Sequence, residues 1–292
     1  MTAVVERTTW AYRPGAPLVA ELRAWASLGG GRRCETWLAW SPARWCPVVV
    51  KLPRPDLVGD VSTRADLLHE AEMMAALSHP GVQRFYEADP DADLPYLISE
   101  YVEGPSLSDS LARYGPLPGD EVVLLGLQIA AALRYLHGAG VVHLDLKPGN
   151  VCLRDGRPVV IDFGIARRPG ERRRHGAPTG SPPYMAPEQC RDEPASPATD
   201  LFALGAVLFE AATGEHAFHP RRAADGWSYP QLTGAPADRL PGPLGELVER
   251  LLDPDPARRP ADAAAVLRSL TEALPAGVEP PWPEWVDSGN SQ

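Results

Sequence analysis

A polar stretch, His143-Leu-Asp-Leu-Lys-Pro-Gly-Asn150, and the tripeptide Asp162-Phe-Gly164 twelve residues later constrain this chain most. Between them lie Val151-Cys-Leu153, a turn at 154–156 and the apolar run Val159-Val-Ile161. This alternation predicts a polar loop, a short β-hairpin and a second polar loop that begins at an aspartate. The two loops would bring two aspartates, a lysine and an asparagine to one place. Such groups suit a divalent cation together with phosphate, so the pattern predicts a metal and phosphate site.

Residues 18–102 predict a small lobe built on a sheet. Strand-like runs cover 22–28, 34–40, 46–52, 82–86 and 94–101. The glycine turn Gly29-Gly-Gly31 joins the first two runs, and backbone N–H groups in such a turn can lie over a phosphate chain. A helix is expected over 64–77 from its apolar spacing. Either Glu70 or Glu72 in this helix would pair with Lys51, and the other would be solvated.

Residues 103–274 predict a larger, mainly helical lobe. Apolar residues recur at helical spacing over 107–114, 120–137, 200–213, 243–252 and 261–274. Loops are expected over 165–187 and 214–242, where proline and glycine are frequent. Residues 1–17 and 275–292 have no periodicity and are expected to form an N-terminal and a C-terminal tail. The glycine turn and the metal-binding loops would then face each other across one cleft.

Composition limits the partners and the compartment. The net charge of −10 argues against a nucleic-acid partner, because nucleic acids bind to a basic face. No apolar run approaches the roughly 18 residues of a membrane span, and the first residues lack the plan of a signal peptide. The four cysteines have no CxxC spacing and are expected to be reduced thiols. We therefore expect a cytoplasmic protein with no membrane partner.

The lysines carry more information than the totals. Only two of the 28 basic residues are lysines, Lys51 and Lys147. An arginine bias of this strength is typical of a GC-rich genome, so each retained lysine needs a chemical reason. Lysine places a compact point charge where arginine presents a planar fork, and the two are not interchangeable beside a phosphate. Lys51 ends the third strand and Lys147 lies in the polar stretch, which supports a phosphate-binding role for both positions.

Taken together, the motifs resemble those of the eukaryotic-like (Hanks-type) Ser/Thr protein kinases of bacteria, over about residues 20–274. In order they are Leu28-Gly29-x-Gly31 as the glycine-rich loop, Val48-Val-Val-Lys51, Glu70 in the first helix, Ser99 as gatekeeper, Glu100-Tyr-Val102 as the hinge, His143-x-Asp145-x-Lys147-x-x-Asn150, Asp162-Phe-Gly164, Ala186-Pro-Glu188, Asp200 with Gly205, and Arg259, which would pair with Glu188. The resemblance implies an α+β, bilobal protein-kinase-like fold. Its N-lobe would be a five-stranded antiparallel sheet with one helix, and its C-lobe would be mainly helical.

The resemblance also implies an activity and a role for each site residue. It implies transfer of the γ-phosphate of Mg-ATP to Ser/Thr hydroxyls of a protein substrate, with autophosphorylation. Asp145 would orient the substrate hydroxyl or accept its proton, and Lys147 would neutralise charge on the moving phosphoryl group. Asn150 and Asp162 would hold Mg²⁺, with Mn²⁺ as an alternative. The other implied site residues are Leu28, Gly29, Gly31, Thr36, Val49, Lys51, Glu70, Glu100, Val102 and Cys152 around ATP, and Thr179, Ser181 and Glu188 in the activation segment.

Three departures from the family pattern carry further hypotheses. Leu144 replaces the arginine that usually precedes Asp145, so we hypothesise that phosphorylation of the activation loop is not required for activity. Cys34 replaces the third glycine of the loop. The loop tip, Arg32-Arg33, would either stiffen the loop or bring a cation to phosphate. The cluster at 172–174 is either a solvated loop or a site that favours acidic substrates or a loop phosphate.

Two other readings use the same motifs. A pseudokinase would bind nucleotide without transferring phosphate, and its usual mark is loss of the lysine or of one of the two aspartates, all of which are present here. A small-molecule phosphotransferase would lack the Ala186-Pro-Glu188 motif and the substrate-docking segment, which this chain has. The substrate, the activating signal and the oligomeric state are not predicted.

Overall fold

A computed structural model describes residues 8–171, 179–223, 226–234 and 239–274. The first lobe is a five-stranded antiparallel sheet with the strand order β1-β2-β3-β5-β4. Its strands are β1 (Arg23–Gly30), β2 (Cys34–Ser41), β3 (Cys46–Pro53), β4 (Phe85–Asp89) and β5 (Tyr96–Glu100), and one helix, α1 (Val61–Met74), lies between β3 and β4. This lobe has the strand count, pairing and single helix that the sequence predicted.

The second lobe is mainly helical. Its helices are α2 (Leu107–Tyr114), α3 (Gly119–Gly138), α4 (Pro187–Cys190), α5 (Pro197–Thr213), α6 (Gly242–Leu251) and α7 (Ala263–Glu272). Two hairpins accompany them, β6 (Val151–Arg154) with β7 (Arg157–Val160), and β8 (Arg221–Ala223) with β9 (Gly226–Ser228). The predicted α+β kinase-like fold is confirmed. The region 214–242, expected to be mostly irregular, includes the short hairpin of β8 and β9 within its described part.

Alternation along β2 and β3 assigns the two faces of the sheet. Trp37, Ala39, Val48 and Val50 are buried together on the outer face. Residues of the opposite face pair in register, Thr36 with Lys51 and Leu38 with Val49. Because successive side chains of a strand point to opposite faces, Lys51 projects towards the cleft while its neighbours fill the outer core.

The outer face is covered by the segment that the sequence predicted to be a tail. Trp10 Nε1 donates a hydrogen bond of 2.8 Å to Pro53 O. The Trp10 ring stacks on Tyr12 at 5.4 Å, and Tyr12 meets the edge of Trp37 at the same distance. Gly15 N donates to Ala24 O at 2.7 Å. From Trp10 onward this segment is therefore packed on the sheet, whereas the lobe boundaries assigned from sequence stay a prediction.

The core of the second lobe forms between α3, α5 and α7. Helix α5 is buried along most of its length, which matches its nearly uninterrupted apolar sequence. Gly126 on α3 lies where an added Cβ would come within 3.1 Å of both Leu208 on α5 and Leu270 on α7. The glycine therefore lets three helices approach one another closely. This rigid base supports the loops on either side of β6 and β7.

Candidate active site

A lysine and two acidic residues meet inside the cleft. Lys51 Nζ lies 2.8 Å from Glu70 Oε2 on α1 and 3.0 Å from Asp162 Oδ1. Glu72 is exposed, so the structure places Glu70 as the partner of Lys51. Burial acts to lower the pKa of Lys51, but the carboxylates of Asp162 and Glu70 outweigh it and raise that pKa. The Lys51 ammonium in turn lowers the pKa of Asp162 to about 2, so both groups are charged at neutral pH.

The polar stretch brings its predicted site residues together. Asp145 Oδ2 accepts hydrogen bonds from Lys147 Nζ at 2.7 Å and from Asn150 Nδ2 at 3.0 Å. Lys147 Nζ also donates to Ser181 Oγ at 2.8 Å. Asp145 Oδ1 is buried and has no hydrogen-bond partner within the described parts of the chain. Because a buried unpaired acceptor is costly, this oxygen is poised to accept a bond from an incoming hydroxyl.

Asp200, in the first turn of α5, fixes the backbone that leads into this loop. Its Oδ2 accepts from His143 N and its Oδ1 from Leu144 N, both at 2.8 Å. His137 Nε2 lies 2.9 Å from the same carboxylate. These bonds hold Leu144 at a φ of +66°, a conformation that leucine rarely adopts. Asp200 therefore stabilises a strained turn next to Asp145.

His143 links the two predicted polar loops. Its Nδ1 accepts a hydrogen bond from Asp145 N at 3.3 Å, and its Nε2 lies 3.1 Å from Ile161 O. A carbonyl oxygen can only accept, so Nε2 is the donor in this contact. The ring also meets the edge of Phe163 at 4.9 Å. His143 thus holds the loop containing Asp145 against the one that begins at Asp162.

Leu144 occupies an apolar site. It is buried with Val142 and Ala195, and Ile165 packs against the three. The segment that follows Asp162 is held beside them by backbone pairing, with Val142 N donating to Arg167 O at 2.8 Å and Arg167 N returning a bond of 2.9 Å. A leucine suits this environment because its side chain requires no polar partner.

The glycine turn has the conformation that its residues permit. Gly29 has a φ of +124°, a value that L side chains rarely adopt, and Gly31 N donates to Cys34 O at 2.9 Å. Leu28, just before the turn, is about half exposed. Burial raises the pKa of Cys34 to about 11, so its thiol is neutral at physiological pH. The third glycine position therefore holds a small, unreactive side chain.

Arg33 decides between the two roles expected for the loop tip. Its Nη1 lies 3.3 Å from Asp60 Oδ2 and 3.4 Å from Asp66 Oδ2, and it donates to Ser62 Oγ. Asp60 caps the N-terminus of α1, so Arg33 ties the loop to that helix. The neighbouring Arg32 is exposed. The structure therefore assigns the stiffening role to Arg33.

A buried ion pair anchors the base of the same loop. Arg54 Nη1 lies 3.4 Å from Glu35 Oε1, and both side chains are almost fully buried. Arg54 Nε donates to Gly31 O at 3.0 Å, and Trp10 N donates to Glu35 Oε1 at 3.1 Å. The N-terminal segment is therefore connected to the glycine turn through two charged side chains, a link that the sequence analysis missed.

The residues expected around ATP near the hinge lie on β3, on β6 and at the end of β5. Val49 pairs with Ser99 in the sheet, and Val102 is buried just after β5. Cys152 is partly buried on β6, and burial raises the pKa of its thiol. The Glu100 carboxylate forms an ion pair of 2.7 Å with Arg154. The backbone of Glu100, and not its side chain, is therefore the group that can face a nucleotide.

Gln83 is a site residue that the sequence analysis missed. Its side chain is buried, and its Nε2 donates a hydrogen bond of 2.8 Å to Glu100 O. Its Oε1 accepts from Asp162 N at 3.4 Å. A single amide thus touches both the hinge and the aspartate assigned to the metal. No sequence signal identifies it, because an isolated glutamine before a strand is ordinary.

A second buried ion pair holds the substrate-side segment. Glu188 accepts from Arg259 Nη1 at 2.7 Å and from Nη2 at 2.9 Å, and neither side chain is appreciably exposed. Thr199 Oγ1 adds a bond of 3.0 Å to Glu188. The Arg259 guanidinium also lies 5.0 Å from the centre of the Phe202 ring. The pairing implied by the family resemblance is therefore formed.

Two buried glutamines fix the same segment further. Gln189 Nε2 donates to Leu144 O at 2.7 Å and to Thr179 O at 3.1 Å. Gln231 Nε2 donates to Met185 O at 3.0 Å and also to the neighbouring Pro182 O at 2.8 Å. These bonds position Ser181 beside Lys147. The arginine cluster at 172–174 lies outside the described residues.

Asn150 and Asp162 supply a donor set that fits a divalent cation. They flank the β6–β7 hairpin, and Ile161 N donates to Asn150 O at 2.9 Å, which keeps the two ends of the hairpin adjacent. Within the described ranges no cluster of three or more His, Cys, Asp or Glu side chains could hold a metal. Magnesium is commonly held by one or two protein oxygens together with phosphate and water, so these residues fit a cation that arrives with a nucleotide.

The family follows from comparison with known proteins. The model of the protein kinase domain matches residues 23–270, which span both lobes and every site residue described above from Leu28 to Arg259. The chain belongs to the protein kinase family. Together with the relatives described next, this match confirms the predicted resemblance to bacterial Ser/Thr protein kinases.

Relatives with 34–37% identity support the same assignment. The chain is 34% identical to the probable serine/threonine-protein kinase PkwA of Thermomonospora curvata over 92% of its length, which covers 36% of that protein. It is 37% identical to the serine/threonine-protein kinase AfsK of Streptomyces griseus, over 82% of this chain and 30% of the relative. It is 36% identical to the serine/threonine-protein kinase PknB of Mycobacterium leprae, over 65% of this chain and 32% of the relative. The chain spans about a third of the length of these curated relatives.

No helix within the described residues is long and apolar enough to cross a membrane.

Proposed function

We propose that this chain is an active Ser/Thr protein kinase that transfers the γ-phosphate of Mg-ATP to hydroxyls of a protein substrate. The observation that carries the proposal is the intact chain of charged contacts from Glu70 through Lys51 to Asp162, next to an Asp145 whose Oδ1 is buried and unpaired. A pseudokinase would not need to keep both the charged contacts and the unpaired oxygen of Asp145. The sequence relatives named as serine/threonine kinases support the substrate class.

The mechanism assigns one task to each group. Lys51, fixed by Glu70, would hold the α- and β-phosphates, and Asn150 and Asp162 would hold Mg²⁺ or Mn²⁺ with its phosphate oxygens. When bound, the cation neutralises charge that develops on the transferring phosphoryl group. Asp145 would accept a hydrogen bond from the substrate hydroxyl through Oδ1 and orient it for in-line attack. Proximity and charge stabilisation supply most of the rate in this type of reaction.

Lys147 would act on both sides of the transfer. It bridges Asp145 Oδ2 and Ser181 Oγ, so it joins the base to the substrate-side segment. Its charge would stabilise the phosphoryl group as it moves. The contact also affects how Ser181 is studied, because Ser181→Ala would remove a Lys147 contact whether or not Ser181 is ever phosphorylated.

The contacts around Leu144 support activity without a loop phosphate. The first half of the activation segment is held by backbone bonds between Arg167 and Val142 and between Gly170 N and Ala195 O, the last at 2.8 Å. None of these needs a phosphate or the missing arginine. We therefore propose that the kinase is active as synthesised and phosphorylates itself without depending on that modification.

The composition of the chain supports a proposal about its location and its partners. The acidic chain and its free cysteines favour a cytoplasmic protein that binds no nucleic acid and no membrane surface.

Intact-mass spectrometry after incubation with Mg-ATP tests the activity. We expect the parent protein to gain one or more phosphates and the Asp145→Asn variant to gain none. A parent that binds ATP but gains no phosphate, and phosphorylates no protein in a mixture of generic kinase substrates, would leave nucleotide binding or small-molecule transfer as the function. A parent that binds no ATP would refute the proposal outright.

A further inference from the structure

We propose that Gln83 is a positioning residue that couples the nucleotide-binding hinge to the metal-binding Asp162. This inference rests on the proposed function and adds a residue to it. Gln83 precedes β4, outside every motif that identifies the family, and is 7% exposed. Its amide spans the 17 residues to Glu100 and the 79 residues to Asp162 in sequence.

The two ends of the side chain have no freedom to exchange. Glu100 offers a carbonyl oxygen, which requires a donor, and Asp162 offers a backbone N–H, which requires an acceptor. The amide satisfies both only with Nε2 towards Glu100 and Oε1 towards Asp162. Gln83 N also donates to Val160 O at 2.9 Å, so the backbone of Gln83 is fixed beside the strand that leads to Asp162. The side chain is therefore held in one arrangement from both ends.

Asp162 has a particular need for such a contact. Its φ is +64°, in the left-handed region that residues with a side chain rarely adopt. A strained backbone persists where its surroundings determine it from several directions. The Lys51 ion pair fixes the position of the Asp162 carboxylate, and the Gln83 amide fixes the direction of the Asp162 N–H. Without Gln83, the N–H would lose this acceptor, and other conformations of Asp162 would become populated.

The second contact reaches the group expected to meet the nucleobase. Glu100 O belongs to the hinge, and its carboxylate is already engaged by Arg154. A carbonyl oxygen has two lone pairs, so the bond from Gln83 leaves one for a ligand. Gln83 therefore fixes the orientation of the Glu100 carbonyl and leaves its second lone pair available to a ligand. One side chain sets both the hinge acceptor and the metal aspartate, so that binding at one favours the geometry of the other.

The test measures binding and not turnover. Affinity for a non-hydrolysable ATP analogue is determined by calorimetry, with and without MgCl₂, for the parent and for Gln83→Met. Methionine has a similar length and no strong hydrogen-bonding group. Loss of a bond worth about 1 kcal/mol lowers the population of the competent arrangement about fivefold. We expect Gln83→Met to bind the Mg-analogue about five- to tenfold more weakly and to gain less affinity from Mg²⁺ than the parent gains.

Gln231→Met is the matched control. Like Gln83, Gln231 is buried and bonds two distant backbone groups through its side-chain amide, but both of these groups are carbonyls of the substrate-side segment. We expect its analogue affinity to stay within about twofold of the parent value, with and without Mg²⁺. Equal losses in the two variants would mean that loss of any buried glutamine loosens the protein, and would overturn the proposal. An unchanged affinity in Gln83→Met would overturn it as well.

A second variant and a comparison with phosphate transfer keep the binding result interpretable. If Gln83→Met is insoluble, Gln83→Asn keeps an amide but shortens its reach, and is judged by the same criteria. A parent that binds the analogue but transfers no phosphate would remove the proposed kinase activity and leave the Gln83 comparison valid. A parent that transfers phosphate while Gln83→Met binds normally would remove only the role of Gln83.

Discussion

Replacing Arg259 by methionine should be among the most destabilising single changes in the second lobe. Its side chain is fully buried and makes two charged hydrogen bonds to Glu188, of 2.7 and 2.9 Å. It also donates to Ala198 O at 2.8 Å and to Asp253 O at 2.9 Å. Methionine would leave the Glu188 carboxylate buried with Thr199 as its one remaining donor among the described residues. Breaking a buried pair in this way typically costs about 3–5 kcal/mol.

Urea unfolding followed by circular dichroism measures this loss. We expect the Arg259→Met variant to lose about 3–5 kcal/mol of unfolding free energy. Arg250→Met is the control, because Arg250 is exposed and makes one bond, to Ser269. Surface changes of that kind usually stay within about 0.5 kcal/mol. A loss below about 1 kcal/mol for Arg259→Met, or an equal loss in the control, would refute the reasoning.

A double variant separates the two sources of the effect. Replacing both partners, Glu188→Met with Arg259→Met, removes the uncompensated charge, and well-packed apolar replacements of buried pairs are often tolerated. We expect the double variant to be more stable than Arg259→Met alone. If the double variant is less stable than either single variant, the loss comes from packing, and the unpaired carboxylate is not its cause.

Three further predictions concern other parts of the structure. Arg33→Ala should raise the KM for ATP about threefold, more than Arg32→Ala does, and the difference should shrink at high salt because exposed ion pairs are screened; equal effects of the two changes would contradict the loop-to-helix contact. Burial raises the pKa of Asp200, but its hydrogen bonds hold that pKa below the ordinary value of 3.8. The stability that Asp200 contributes is therefore fully present above pH 3.8 and is lost as the pH falls further. Asp200→Asn should be less stable than the parent at neutral pH, and its unfolding free energy should depend less on pH between about 5 and 2. Parallel curves for the parent and the variant would contradict this role of Asp200. Trp10→Ala should lower the free energy of unfolding by about 2–3 kcal/mol through lost packing and the lost bond to Pro53; thermal unfolding unchanged within error would show that the segment adds nothing.

Local sequence signals predicted the bounds of some elements closely and misplaced the bounds of others. Helix α2 begins and ends where predicted, because Ser106 and Asp109 form a capping box and Gly115 ends the helix. Helix α1 was expected from residue 64 to 77 but runs from Val61 to Met74. The prediction followed apolar spacing, whereas the helix is started by the Asp60 side chain, which accepts a bond from Thr63 N. A capping signal of this kind precedes the apolar pattern and should have moved the boundary.

The site was predictable to the extent that single residues carry its chemistry. Lysine, aspartate and asparagine at fixed spacings identified the groups that now lie within hydrogen-bonding distance around Asp145 and Lys51. The buried glutamines were not predictable. Gln83 and Gln231 are needed because carbonyl groups of distant segments require donors, and the separations of 17 to 49 residues leave no local pattern. Their roles appear only when the fold is known.

The N-terminal segment has a practical consequence for how the protein is prepared. The family match begins at residue 23, and a truncation made at that boundary would discard Trp10 and Tyr12. Part of the apolar outer face of the sheet, including Trp37 where Tyr12 packs, would then be open to water. An exposed apolar surface on a sheet invites association between molecules. A truncated protein that precipitates, or forms oligomers, would therefore report the missing cover and not the natural assembly of the kinase.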